Sequence, residues 1–326
     1  MLEHGGNLRD AARRDGRADW IDLSTGINPH GYPAAAPSPS AWHRLPEPDP
    51  ALLAAACAYY RAPQLLPVAG TQAAIQALPR MRAPCRVAVS APSYAEHAHH
   101  WCLHGHTRRL VAYAELEAAI DDHDVVVVVN PNNPTGATVA PERLRDWAAR
   151  LHARGGWLVV DEAFGDTATG MSVAQHAAQP GLIVLRSVGK FFGLAGLRLG
   201  FVAAHHTVLT DLDDLLGPWA VSGPAQQVAL QALQDIRWQQ QTLASLRQSG
   251  DRMSRLLREH GIASAGTPLF QWWPEARPEA FHEHMAARGI WCRLFRDAAR
   301  GIRVGLPAVE EEWQRLEQAL QEWSKQ

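Results

Sequence analysis

Five consecutive valines, Val125 to Val129, form the strongest apolar run in the chain. A run this short and this β-branched predicts a strand covered on both faces, the pattern of a parallel sheet under helices. A turn-rich stretch, Asn130-Pro131-Asn132-Asn133-Pro134-Thr135-Gly136, follows it. Leu144, Trp147, Ala148 and Leu151 then recur at the i, i+3, i+4, i+7 spacing of a helix, with Pro141 in its first turn and Gly155-Gly156 beyond its end. Trp157 to Asp161, Leu182 to Leu185 and Leu199 to Ala204 predict further strands. Strands spaced in this way with an intervening helix predict an α/β fold with a mostly parallel central sheet flanked by helices.

The flanks carry weaker patterns. Residues 34–50 are rich in proline and poor in apolar residues, which predicts a connecting loop. Ser222-Gly223-Pro224 reads as a helix start, with a Gln-rich helical stretch running from about 225 to 259. One or two short strands and a last amphipathic helix complete the chain. That helix carries Trp313, Leu316, Leu320 and Trp323 on one face, a core-facing stripe, with Glu310, Glu311 and Glu312 near its positive end. The resulting division is an N-terminal arm and link over 1–44, a large domain over 45–224, and an interdomain helix with a smaller α+β C-terminal domain over 225–326.

Composition narrows the class. The 326 residues are 47% apolar and 20% charged, with a formal net charge of −2. That balance predicts a globular protein of about two domains, with no electrostatic footprint for nucleic acid or an anionic membrane. No apolar run approaches the ~20 residues that a spanning helix needs. The opening MLEHGGNLRD lacks the features of a secretory signal, and Cys57, Cys85, Cys102 and Cys292 lie far apart, so reduced thiols in a cytoplasm are expected. More telling is the basic set. Of 31 basic residues only Lys190 and Lys325 are lysines, and Lys325 is the penultimate residue. Arginine covers generic positive charge but stays protonated and does not form Schiff bases, so Lys190 stands out as a reactive amine.

In open α/β sheets ligands sit beyond the carboxyl ends of the strands. Asn133, Asp161 and Lys190 fall at or just after three such ends. An amide, a carboxylate and a lone amine converging there suit pyridoxal 5'-phosphate. The amine bonds the cofactor, the carboxylate pairs with the pyridine nitrogen, and the amide meets the ring hydroxyl. Ser187, Arg198 and Gly70-Thr71-Gln72 at a helix start are candidates for the phosphate. Tyr94 could stack on a flat ring.

Three segments carry a resemblance. Asn130-Pro-Asn-Asn-Pro-Thr-Gly136, Asp161-Glu-Ala-Phe164 and Ser187-Val-Gly-Lys-Phe-Phe-Gly-Leu-Ala-Gly-Leu-Arg-Leu-Gly200 resemble the class I/II aminotransferase family, which are fold-type I pyridoxal phosphate enzymes. The likeness is strongest to its threonine-phosphate decarboxylase branch, which serves cobalamin biosynthesis. The segments behind that are His4-Gly-Gly-Asn7, Ile21 to Pro29, Arg44 to Pro48, and Ile302-Arg-Val-Gly-Leu-Pro307. The resemblance implies that Lys190 is the covalent lysine, Asp161 the pyridine partner, Asn133 the ring-hydroxyl partner and Tyr94 the stacking ring. Gly70, Thr71, Gln72, Ser187 and Arg198 would hold the phosphate. Arg303 would take the substrate carboxylate and Arg293 a substrate phosphate, with His4, Gly5, Gly6 and Asn28 as further substrate contacts. It implies a homodimer acting on a small phosphorylated amino acid, with a histidinol-phosphate-type aminotransferase as the alternative.

Two positions depart from the family pattern. Phe164 stands where many aminotransferases have Tyr, and Leu45 where relatives often carry a Tyr that reaches the neighbouring subunit. Both losses count against ordinary transamination. His97, His99, His100, His104 and His106 lie close together with Cys102. Without a second ligand set of fixed spacing, the cluster is read as a solvated helix face and not as a metal site.

Overall fold

A computed structural model describes residues 4–325. Its strands, in chain order, are β1 (Ile21–Leu23), β2 (Leu66–Val68), β3 (Arg86–Ala91), β4 (Thr107–Ala112), β5 (Val125–Val129) and β6 (Trp157–Asp161). There follow β7 (Leu182–Ser187), β8 (Gly200–Ala204), β9 (Ala265–Thr267), β10 (Phe270–Trp273), β11 (Ile290–Phe295) and β12 (Gly301–Val304). They form a seven-stranded sheet, β2-β8-β7-β6-β5-β3-β4, and a five-stranded sheet, β1-β11-β12-β10-β9. The chain divides into two compact units. The larger comprises residues 31–132 and 137–240, and the smaller residues 1–30, 133–136 and 241–326.

In the larger unit, β3 to β7 pair in parallel and β2 and β8 antiparallel. The link from Ser187 to Gly200 holds only the 3-10 turn Ala195–Leu197 and no crossover helix, and β8 returns beside β7 in the opposite direction. Val87, Val89, Val125, Val127, Val159, Ile183 and Leu185 join one core with the helix Thr71–Ala77 and Trp101. The alternate positions Val126, Val128, Leu158, Val160 and Val184 are equally buried, so both faces of the sheet are covered. The predicted helix forms as Pro141–His152 and buries Leu144, Trp147, Ala148 and Leu151.

Details depart from the pattern-based reading. The proline-rich segment contains the short helix Pro39–His43, begun by Pro39 in its first turn. The long Gln-rich stretch is two helices, Gly223–Gln234 and Ile236–Glu259, broken at the non-helical Asp235. The first of these packs on the helix Pro50–Tyr60, so it belongs to the larger unit. The smaller unit's sheet takes β1, near the N-terminus, in parallel register against β11. Helices Pro278–Ala286 and Glu310–Trp323 pack together in this unit, and Trp313, Leu316 and Leu320 are buried as the stripe predicts. Among the described residues no helix is long and apolar enough to cross a membrane.

Candidate active site

The larger unit gathers Gly70, Thr71, Gln72, Tyr94, Asp161, Ser187, Lys190 and Arg198. Tyr94, Asp161, Ser187 and Lys190 lie at or beyond the carboxyl ends of the parallel strands β3, β6 and β7, as the α/β rule requires. Asp161 ends β6 and is almost wholly buried. Its Oδ1 accepts from the Ala163 N–H at 2.9 Å, and its Oδ2 lies 2.9 Å from His97 Nε2. A carboxylate can only accept, so His97 donates at Nε2. Ser187 ends β7, and its Oγ accepts from the Gly189 N–H at 3.1 Å, which holds the turn into Lys190. The Lys190 Nζ lies 5.4 Å from the centre of the Phe164 ring.

The Gly70 N–H is spent on the Val68 carbonyl at 2.6 Å, so the start of the helix Thr71–Ala77 and the Arg198 guanidinium beside Gly70 form the cup. Gly70 has φ +72°, and a Cβ there would stand 2.6 Å from Arg198 Nη2. Gly200 is as tight, since its Cβ would lie 2.8 Å from the Thr71 nitrogen. Arg198 itself has φ +55°, an uncommon conformation for a side-chain-bearing residue. This close-packed, cationic, N–H-rich cup fits a phosphate monoester, and the His97–Asp161 pair fits a protonated ring nitrogen. The residues present therefore suit pyridoxal phosphate.

Tyr94 joins the two parts. Burial pushes its hydroxyl up to about 12, Glu96 and Asp161 add to the rise, and Arg198 opposes it. Its ring centre lies 6.2 Å from that of His97, nearly perpendicular. Behind the site, Arg186 Nη1 meets Glu162 at 2.6 Å and Nη2 meets Asp166 at 2.9 Å, all three side chains being buried. Glu162 also accepts from Ser172 Oγ and the Val173 N–H, so this ion cluster ties the loop after Asp161 to the strand before Ser187.

The reading of the histidines as a solvated face is overturned. His97, His100 and His106 are buried, and only His99 of that group is fully exposed. The helix Ala95–Leu103 lies against the sheet, so His97 reaches Asp161 and His100 reaches Glu96 at 3.0 Å. His97 was thus missed as a site residue. The usable signal was its three-residue spacing from Tyr94, which sets both side chains on one face at the helix start. Among the described residues no group of three or more His, Cys, Asp or Glu side chains converges to hold a metal ion.

The smaller unit contains His4, Gly5, Gly6, Asn28, Asn133, Arg293 and Arg303. Arg293 on β11 is the direct cross-strand partner of Arg303 on β12. Arg303 is buried, donates through Nη2 to the Ser24 carbonyl at 2.7 Å and through Nη1 to Asn133 Oδ1, and its Nε has no protein partner. Burial and the neighbouring Arg293 push its guanidinium down to about 9. The Phe270 and Phe295 rings lie 5.3 and 6.0 Å from it. The Gly6 N–H donates to Ser24 Oγ at 2.7 Å, and a Cβ on Gly5 would run into the Ser24 carbonyl. Asn28 is buried, with Oδ1 accepting from the His30 N–H at 2.9 Å. His4 is exposed.

The family model for aminotransferase class I and II matches residues 18–313. The chain is 53% identical to a threonine-phosphate decarboxylase of Pseudomonas aeruginosa over 98% of its own length and 97% of the relative's. It is 43% identical to a threonine-phosphate decarboxylase of a Sinorhizobium species, over 98% and 97%. Its fold is similar to that of histidinol-phosphate aminotransferase from Sinorhizobium meliloti, solved in complex with pyridoxal-5'-phosphate. The TM-score is 0.82 at 22% identity, covering 100% of this chain and 96% of that one.

Proposed function

The chain belongs to the class I and II aminotransferase family, and from that premise we propose that it is a pyridoxal-phosphate-dependent lyase of cobalamin biosynthesis. It decarboxylates L-threonine O-3-phosphate to (R)-1-amino-2-propanol O-2-phosphate. The observation that carries the reading is the cross-strand pair of Arg293 and Arg303, two cations side by side with one of them buried. Such a pair suits a ligand with two anionic ends. A carboxylate and a phosphate on one small amino acid supply them.

Pyridoxal phosphate, when bound, supplies the electron sink for the pair left when the Cα–carboxylate bond breaks. The protein's own groups do the rest. Lys190 would hold the cofactor through its amine, and once freed it is placed to return a proton to the substrate Cα as general acid. Carbon dioxide leaves and that proton takes its place. Asp161, oriented by His97, keeps negative charge against the ring nitrogen. Asn133, whose Oδ1 accepts from Arg303, would meet the ring hydroxyl through its Nδ2. Gly70, Thr71, Gln72, Ser187 and Arg198 hold the cofactor phosphate, and Tyr94 stacks on the ring. Arg303 would bind the substrate carboxylate and so orient the bond to Cα that breaks. Arg293 takes the substrate phosphate, with His4, Gly5, Gly6 and Asn28 as further contacts.

Incubating the pure holoenzyme with threonine phosphate and no 2-oxo acid tests this directly. Release of carbon dioxide with the amino alcohol phosphate is expected. A strict requirement for 2-oxoglutarate would replace the reading with a histidinol-phosphate-type aminotransferase. We further propose a cytoplasmic homodimer. All four cysteines are free thiols, and Trp42, Leu45 and Trp219 expose large apolar surfaces. A fully active monomer in light scattering would refute the dimer.

A further inference from the structure

Tyr94, Gln72, Glu96 and His100 form a chain of hydrogen bonds that the reaction above does not use. The Tyr94 hydroxyl donates to Gln72 Oε1 at 3.3 Å, and Gln72 Nε2 donates to Glu96 Oε2 at 2.7 Å. His100 Nε2 lies 3.0 Å from the same Oε2, so it too donates to the carboxylate. Glu96 and His100 are buried against the sheet. Because a carboxylate accepts and never donates, the direction of every bond is set by Glu96. The Gln72 amide must aim its nitrogen at Glu96, and its oxygen is thereby turned to the Tyr94 hydroxyl. The Gln72 side chain consequently faces away from any phosphate role, leaving that residue its backbone N–H for the cup.

We propose that Glu96 is a positioning residue: through Gln72 it fixes the plane of the Tyr94 ring, and with it the tilt of the cofactor ring that stacks there. The inference rests on Tyr94 being the stacking residue. A buried acidic side chain is costly unless it is hydrogen-bonded, and here Gln72 and His100 both donate to one Glu96 oxygen while Tyr94 hangs on Gln72. Ring tilt matters because only the bond perpendicular to the cofactor plane breaks. A loosened Tyr94 therefore lowers turnover more than it lowers substrate binding.

The test uses holoenzyme of Glu96→Ala, Glu96→Gln, Tyr94→Phe and Tyr94→Ala, read by the visible circular dichroism of the bound cofactor, by cofactor affinity and by kcat and KM separately. Glu96→Ala is expected to keep the lysine-bound absorbance band but to change its dichroism, to weaken cofactor binding about tenfold and to lower kcat about tenfold at little-changed KM. Glu96→Gln restores the dichroism, since its amide oxygen still accepts from Gln72. Tyr94→Phe reproduces the Glu96→Ala signature, and combining the two adds nothing. If Glu96→Ala leaves dichroism and affinity unchanged while Tyr94→Ala alters both, the role of Glu96 is refuted and the site reading survives. If Tyr94→Ala also changes nothing, the stacking assignment itself fails. Should Glu96→Ala not fold, Tyr94→Phe decides, with unaltered dichroism overturning the proposal.

Discussion

His97 Nε2 lies 2.9 Å from Asp161 Oδ2, with both side chains almost completely removed from water. The two residues are 64 positions apart in the chain and meet because the helix after β3 and the end of β6 face the same crevice. The second Asp161 oxygen is held by the Ala163 N–H, so the carboxylate has one defined orientation. A fixed negative charge is what a protonated pyridine needs opposite it, and His97 supplies the fixing.

Replacing His97 with alanine should therefore leave Asp161 held by the Ala163 N–H alone, with its second oxygen unanchored. Loss of a hydrogen bond to a charged group is worth about 1.5–3 kcal/mol, so kcat should fall about tenfold to a hundredfold. Cofactor affinity should fall with it, while KM for threonine phosphate changes little. Equal losses in kcat and in substrate binding, measured by steady-state kinetics, would count against a role exerted through Asp161.

At Gly70 the argument is steric. Alanine there adds a Cβ 2.6 Å from Arg198 Nη2 and must be borne at φ +72°. Gly70→Ala should displace Arg198 and weaken cofactor binding at least tenfold, about 1.4 kcal/mol, with activity recovered in excess pyridoxal phosphate. Titrating apoenzyme with the cofactor checks this. Unchanged affinity would remove Gly70 and Arg198 from the phosphate cup.

What could be read in advance follows from range. The Val125–Val129 strand and the Leu144 to Leu151 stripe are local patterns, and the motifs around Asn133, Asp161 and Lys190 sit beside them. The direction of β8 is not written in its own residues, although the short link from Ser187 was a clue. His97 was misjudged because polarity on a helix was equated with solvent, whereas its partner lies on a distant strand. β1 was hidden for a similar reason. Three residues carry almost no periodicity, and only pairing with β11, more than 250 positions away, makes them a strand. Arg293 and Arg303 were individually visible, but their direct cross-strand opposition was not.

Lys190→Ala should remove covalent attachment of the cofactor and lower kcat by at least 10²–10⁴, the range for a lost general acid, and more if nucleophilic displacement also slows. Borohydride reduction of wild-type holoenzyme followed by peptide mapping should label Lys190. A label elsewhere, or a fully active Lys190→Met enzyme, would undo the reading of the site.

The Arg186 cluster sets two buried carboxylates against one guanidinium. Burial pushes both Glu162 and Asp166 up, with Arg186 opposing the rise in each. Each folded-state value therefore lies above that of the unfolded chain. A folded-state value above the unfolded one gives stability that is fully present at low pH and lost as pH rises through the folded-state value. Urea unfolding should thus show stability falling with rising pH across that window, by no more than about 1.4 kcal/mol per unit for one proton. Asp166→Asn should flatten that slope, whereas Arg186→Met should cost about 3–5 kcal/mol by stranding buried acids. An unaltered slope in Asp166→Asn would show that another group carries the dependence.

The two arginines of the smaller unit can be separated by substrate. Arg303 is buried and bonded to Ser24 and Asn133, while Arg293 opposite it lies against the Phe295 ring at 5.1 Å. If Arg293 holds the substrate phosphate, Arg293→Gln should raise KM for threonine phosphate by about tenfold to a hundredfold, the cost of a lost charge-assisted bond. It should leave any turnover of unphosphorylated threonine unaffected, so a preference for the phosphorylated substrate collapses. Arg303→Gln should impair both equally, because both carry the carboxylate. Comparing kcat/KM for the two substrates in each variant decides the assignment. A uniform loss in Arg293→Gln would move the phosphate to other partners, with His4 and Asn28 the next to test.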